Sequence, residues 1–144
     1  MTRRLDVQER EELLAGVHVG VISIDSPERD RSPVAVPIWY SYDPAEGVSV
    51  VTHPASRKAQ AIEQAGRFAM VAQREAMPYR YVSVEGPVVD SRPAGQADVE
   101  LLARRYLGEL MGTTYAQEPA TYEGMVLYTM RPQRWATYTE ADEA

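Results

Sequence analysis

The sequence predicts a mainly β domain, an antiparallel barrel with helices packed on its outside. Short β-branched apolar runs recur, at 17–24, 48–52 and 125–130 among others. Turn residues such as Tyr42-Asp43-Pro44-Ala45-Glu46-Gly47 join several runs directly. Helical patterns separate only some of them, unlike the regular strand–helix alternation of a parallel sheet.

In chain order, Asp6 caps a first helix, with Glu9 in capping-box register, and Gly16 stops it after Ala15. Strands follow at 17–24 and 33–40, joined by the polar turn 25–32. Pro37 cannot donate to a ladder, so its strand lies at an edge or bulges there. A third strand covers 48–52, and a helix runs over 56–65, closed by Gly66. Strands at 68–73 and 79–89 flank the Met77-Pro78 turn. A long helix at 95–111 carries the apolar stripe Val99, Leu102, Tyr106 and Leu110. A loop at 113–122 leads to a strand at 125–130, broken by Arg131-Pro132, and 135–139 forms a last strand.

The 144 residues fit one domain, 1–144, with a real core. Hydrophobic content of 44% is that of a globular protein. The absence of cysteine excludes disulfides and thiolate chemistry. A net charge of −6 argues against a nucleic-acid partner. No apolar segment follows Met1-Thr2-Arg3-Arg4 and no run is long enough to span a bilayer, so a soluble cytoplasmic protein is expected.

Of the 15 basic residues, 14 are arginine, the usage of a G+C-rich coding sequence, and the single lysine is Lys58. It stands in Ser56-Arg57-Lys58, between a strand and a helix. A guanidinium fork, a compact ammonium and free helix N–H groups together suit a phosphate. Three solvated residues opening a surface helix read equally well from spacing alone. His18 and His53 lack spaced partners, so a metal site is not expected; His18 reads as a half-buried strand residue, and His53 adjoins the phosphate loop. Glu85-Gly86 reads as a strand end with a structural carboxylate. Tyr79, Tyr81, Tyr106, Tyr115, Tyr122 and Tyr128 read as core and surface filler, while Trp39 and Trp135 are candidates to flank a planar ligand. No nucleophile elbow or dinucleotide fingerprint is present.

In order along the chain, Val50-Val51-Thr52, Ser56-Arg57-Lys58-Ala59 and Tyr79-Arg80-Tyr81-Val82-Ser83-Val84-Glu85-Gly86 resemble the split β-barrel flavoproteins related to pyridoxamine 5′-phosphate oxidase. Val36-Pro37-Ile38-Trp39-Tyr40 and Arg131-Pro132-Gln133-Arg134-Trp135 look like the actinobacterial branch that uses the deazaflavin coenzyme F420. The resemblance runs from about Leu5 to Thr139. It implies a split β-barrel homodimer with cofactor sites between subunits. Arg57 and Lys58, assisted by Ser56, would hold the cofactor phosphate. Val51 and Thr52 would lie at the cofactor, and Val36, Pro37, Ile38 and Trp39 would line its ring. Tyr81 stands where the oxidases have a glutamine, which implies stacking there. The C-terminal arginine–histidine segment that binds pyridoxine is missing, which argues against that oxidase activity. The expected function is F420-dependent reduction of a small planar, unsaturated substrate, with no catalytic side chain named. The alternatives are an FMN-dependent oxidoreductase and a non-catalytic cofactor or haem-binding module. Arg29 and Arg31 are candidates to meet the acidic tail of F420, although they read more readily as solvated loop charges.

Overall fold

The computed structural model describes residues 1–140; residues 141–144 of the expected domain lie outside them. The first elements are β1 (Thr2–Arg3) and α1 (Val7–Ala15). The Asp6–Glu9 capping box is formed in both directions, at 2.8 and 3.0 Å. Next come β2 (Gly20–Ile24), β3 (Val34–Ile38), β4 (Ser41–Asp43) and β5 (Gly47–Thr52). Then follow α2 (Arg57–Ala65), β6 (Arg67–Arg74) and β7 (Arg80–Pro93). The chain closes with α3 (Gln96–Leu107), α4 (Glu109–Ala116), a 3-10 turn (Pro119–Thr121), β8 (Val126–Met130) and β9 (Arg134–Glu140).

All strand pairings are antiparallel, in the order β3-β2-β6-β7-β8-β5-β4, with β9 pairing both β7 and β1. The curl is set in β7. Its residues 80–85 pair with β9 and its residues 88–93 with β8, across a bulge between Val88 and Asp90. The link from β8 to β9 crosses β7 at Gly86, held by Arg131 N–H to Pro87 C=O (2.9 Å) and Gln133 N–H to Glu85 C=O (2.8 Å). A Cβ on Gly86 would meet the Arg131 carbonyl oxygen at 1.8 Å, so only glycine permits the crossing. Glu85-Gly86 therefore sits inside a long strand, not at its end.

Ile22, Val50, Ile62, Met70, Val84 and Met130 pack the interior. Each such side chain is worth about 1.5–3 kcal/mol on burial. Two buried tyrosines satisfy their hydroxyls there: Tyr40 donates to Leu14 C=O (2.6 Å) and Tyr128 to the Glu63 carboxylate (2.7 Å). Burial pushes both hydroxyls up to about 12, so they stay protonated.

Six expectations need correcting. β2 starts at Gly20 rather than Val17, and Val17 and Val19 are exposed. The single strand expected over 33–40 ends at Ile38, and Tyr42 belongs to β4 rather than to the turn. The cause is Tyr106, whose hydroxyl takes the Tyr40 N–H (3.1 Å) and reaches the carbonyls of His18 (2.7 Å) and Tyr40 (3.2 Å), the groups a ladder would need. The 95–111 helix breaks at Gly108, whose φ of 85° a side chain would resist, and the expected 113–122 loop is partly α4. Leu110, expected in the stripe, is 82% exposed beyond that break.

Candidate functional site

Thr52 ends β5, and α2 begins five residues later. Ser56 caps the helix: its hydroxyl accepts from Ala59 N–H (3.1 Å) and lies 3.0 Å from the Thr52 hydroxyl. His53 shapes the connecting turn, its Nδ1 accepting from Ala55 N–H (3.0 Å) and its carbonyl from Ser56 N–H (3.0 Å). Arg57 is exposed and Lys58 half-buried. Neither has a hydrogen-bond or ion-pair partner among the described residues. The fold thus gathers two hydroxyls and two unpaired cations around a helix N-terminus. That donor set suits an anion with several oxygens.

The same helix packs against β2 and β3. Val36 pairs with Ile22 and half-buries inward, while Pro37 pairs with Val21 and faces out. Among the described residues β3 pairs only with β2, so the edge position expected from Pro37 is observed. Ile38 is the last residue of the strand, and Trp39 leaves it to stack on Tyr106, with ring centroids 5.1 Å apart and planes 9° apart. Tyr115 of α4 also meets Trp39, with ring centroids 5.9 Å apart and planes tilted by 57°. Val51 is separate. Strand alternation turns it away from Thr52, onto the face where it pairs with Leu127, so only its backbone adjoins the site.

Tyr81 stands on the outer face of β7, stacked on Tyr138 at 5.6 Å and 5°. Three strand spacings separate β7 from β3. At about 4.8 Å each, that is roughly 14 Å, so one chain does not close Tyr81 and Trp39 into a single pocket. Between them runs a row of small and apolar side chains: Pro37, Val21, Val71, Ser83 and Ala136 are cross-strand neighbours. Val21 is 41% exposed, and Val19 beyond it 56%.

Trp135 does not reach this region. It lies under the Arg10 guanidinium, 4.3 Å from the ring centroid, and meets Tyr42 edge-on. Tyr42 in turn donates a short hydrogen bond to Glu11. Burial and this carboxylate hold the Tyr42 hydroxyl far above its ordinary range. Arg31 is paired with Glu28 at 3.0 Å, and Arg29 has no partner among the described residues. His18 is half-buried, as expected, but it precedes β2 rather than lying in a strand; burial and the Arg105 charge lower its pKa.

The residue that sequence reasoning missed is Tyr106. Its place on the helical stripe was visible, but its hydroxyl ties His18 and Tyr40 together and its ring sets Trp39. Arg105 beside it reaches the carbonyls of Ala15 and Gly16 at the end of α1. Nothing local in the sequence signals either long-range contact.

No family model and no curated protein matches the chain. Solved structures do. The chain is similar to an F420 reductase at 27% identity and TM-score 0.73, covering 88% of this chain and 94% of that one. It is similar to a conserved hypothetical protein from Mycobacterium tuberculosis at 18% identity and TM-score 0.75, covering 94% and 85%. A FAD-binding protein from Mesorhizobium loti matches at 19% identity and TM-score 0.69, covering 98% and 99%. With its curled sheet and flanking helices, this chain has the split β-barrel fold of the pyridoxamine 5′-phosphate oxidase-like proteins.

Proposed function

We propose that the chain is a homodimeric oxidoreductase that binds F420 and reduces a small planar, unsaturated substrate. One observation carries this reading: Arg57 and Lys58 stand unpaired on the first turn of α2, beside the Thr52–Ser56 hydroxyl pair. These residues fit a phosphate. The likeness to an F420 reductase over most of both chains favours the deazaflavin over FMN. When bound, the deazaflavin ring supplies the hydride. The chain's own residues do the positioning. Arg57, Lys58 and Ser56 hold the phosphate, and the backbone of 36–39 sets the plane of the ring. Tyr106 fixes that backbone where β3 ends.

The dimer is part of the same reading. The row from Pro37 to Ala136, exposed at its ends and half-buried at Val71 and Ser83, is small-surfaced and apolar at its centre, which suits a second copy of the same sheet. In such a pair, Tyr81 would serve the partner's ring site rather than its own.

Titrating the purified chain with F420 and with FMN at matched ionic strength tests the cofactor. F420 should bind more tightly, and its affinity should fall with salt as the exposed cations are screened. Light scattering should give about twice 16.1 kDa. Tighter FMN binding with FMN-dependent turnover would replace F420 by FMN. Binding of F420 without turnover of any acceptor would leave a cofactor carrier.

A further inference from the structure

On the opposite face of the sheet, α3 spans a cleft of about 600 Å3. The helix is tied down at both ends, and Val99, Leu102 and Ala103 bury its middle. At its start, Arg92 of β7 grips Asp98 with two bonds, at 2.8 and 2.9 Å. At its end, Tyr106 and Arg105 hold the carbonyls of His18, Ala15 and Gly16. The cleft volume falls within the range of roughly 300–1,000 Å3 usual for small-molecule sites.

The floor is a polar row made by strand register. Ser41 pairs with Ser49, Ser49 with Thr129, and Thr129 with Asp90. Three hydroxyls and a carboxylate therefore stand abreast at strand spacing, across about 14 Å. Ser49 and Thr129 share one hydrogen bond (2.8 Å), which leaves one O–H of the pair to donate outward. The Ser41 hydroxyl, the Glu46 carboxylate and the Arg131 guanidinium also line the cleft with no hydrogen-bond partner among the described residues. Leu101, Leu102 and Leu127 supply an apolar wall, and Leu101 is 57% exposed at its lip. Two arginines face three carboxylates, Glu46, Asp90 and Asp98, so the lining carries one excess negative charge and does not favour an anion.

We propose that this cleft is a second small-molecule site, for a neutral polyhydroxylated ligand of the sugar or polyol class. Its hydroxyls would lie along the Ser41–Ser49–Thr129–Asp90 row, with its C–H face against Leu101. The site is distinct from the anion site: Ser49 and Thr52 are three positions apart on β5, so their side chains point to opposite faces of the sheet. The inference does not depend on the cofactor assignment.

The test is an amide NMR titration of the full chain with ribose, glucose and inositol, and with gluconate as the anionic counterpart. Saturable shifts at residues 41, 49 and 129, with none at 56–58, are expected for at least one neutral probe. A Ser49→Ala/Thr129→Val double variant removes both partners of one hydrogen bond together, so the fold should persist. Its affinity for that probe should drop about tenfold, the loss expected for two ligand hydrogen bonds. Absence of saturable shifts with all three neutral probes would overturn the proposal, as would equal affinity in the double variant or tighter binding of gluconate. F420 and FMN each carry a polyol chain of their own. If either moves 41, 49 and 129 together with 56–58, the cleft belongs to the cofactor and is not a second site.

Discussion

At the start of α1, the orphan N–H groups find carboxylates from their own chain. Asp6 and Glu9 close a capping box, and Glu9 is gripped by Arg3 (2.6 Å) and approached by Arg80 (3.5 Å). At the start of α2, the cap is an uncharged hydroxyl, the first turn has no acidic residue, and Arg57 and Lys58 stand there instead. Cations at a helix N-terminus oppose its dipole. The first arrangement is electrostatically complete. The second has no counter-charge from its own chain among the described residues. Two helix starts of similar cap geometry thus differ in which partners the chain itself provides.

The largest expected effect comes from removing the unpaired cations. Arg57→Ala and Lys58→Ala should each weaken F420 binding ten- to a hundredfold, since a charge-assisted contact is worth about 1.5–3 kcal/mol. Arg3→Ala, which breaks an ion pair already satisfied within the chain, should leave that affinity unchanged. Fluorescence titration of the three variants decides it; equal losses in all three would erase the distinction between the helix starts.

The caps give a middle-sized comparison. Asp6→Ala and Ser56→Ala should each lower stability by about 0.5–2 kcal/mol, read by urea unfolding. Only Ser56→Ala should also weaken the cofactor. If Asp6→Ala did so too, the effect would be transmitted through global stability rather than the site.

Much of this contrast was legible in the sequence because caps are local. Asp6 with Glu9, and Ser56 before Arg57-Lys58, announce themselves within four residues. So do the β-branched runs and the Pro37 edge strand. What escaped was set by distant groups. The strand break at Tyr40 is made by Tyr106, 66 residues away. Gly86 looked like a strand end because its reason, the passage of Arg131, comes 45 residues later. The resemblance places Val51 with Thr52 at the cofactor; the strand period of two turns its side chain to the face opposite that of Thr52. Tyr81 and Trp39 belong to one resemblance but stand three strands apart, a separation that no local pattern shows.

A smaller effect concerns the helix without ligand. Because Arg57 and Lys58 oppose the α2 dipole, the Arg57→Ala/Lys58→Ala double variant should be as stable as the parent, or more stable by about 0.3–1 kcal/mol. Stability unchanged or raised while binding falls would mark residues kept for function. A clear loss of stability would mean that the cations support the fold.

The smallest expected effect is the pH response of α1. The Arg3 hydrogen bond, with the Asp6 N–H and the charges of Arg3 and Arg80, lowers the Glu9 carboxyl from 4.5 to about 2. A carboxyl depressed in the folded state stabilises the protein above its unfolded pKa, and that contribution fades as pH falls from about 4.5 towards 2. Asp98 is lowered by Arg92 and fades in the same direction, so the total acid response does not isolate Glu9. The stability difference between the parent and Glu9→Gln does, because glutamine keeps an acceptor for the Asp6 N–H and loses only the charge. Since the ion pair is open to solvent, that difference should not exceed about 1 kcal/mol at neutral pH. It should narrow between pH 4.5 and 3 and shrink with added salt. The α2 start has no first-turn carboxylate, so Ser56→Ala should show a stability gap that stays flat over the same interval. A Glu9→Gln gap equally flat would mean that the α1 start is held by packing and its backbone hydrogen bonds, and that its charge is as incidental to stability as the cations of α2.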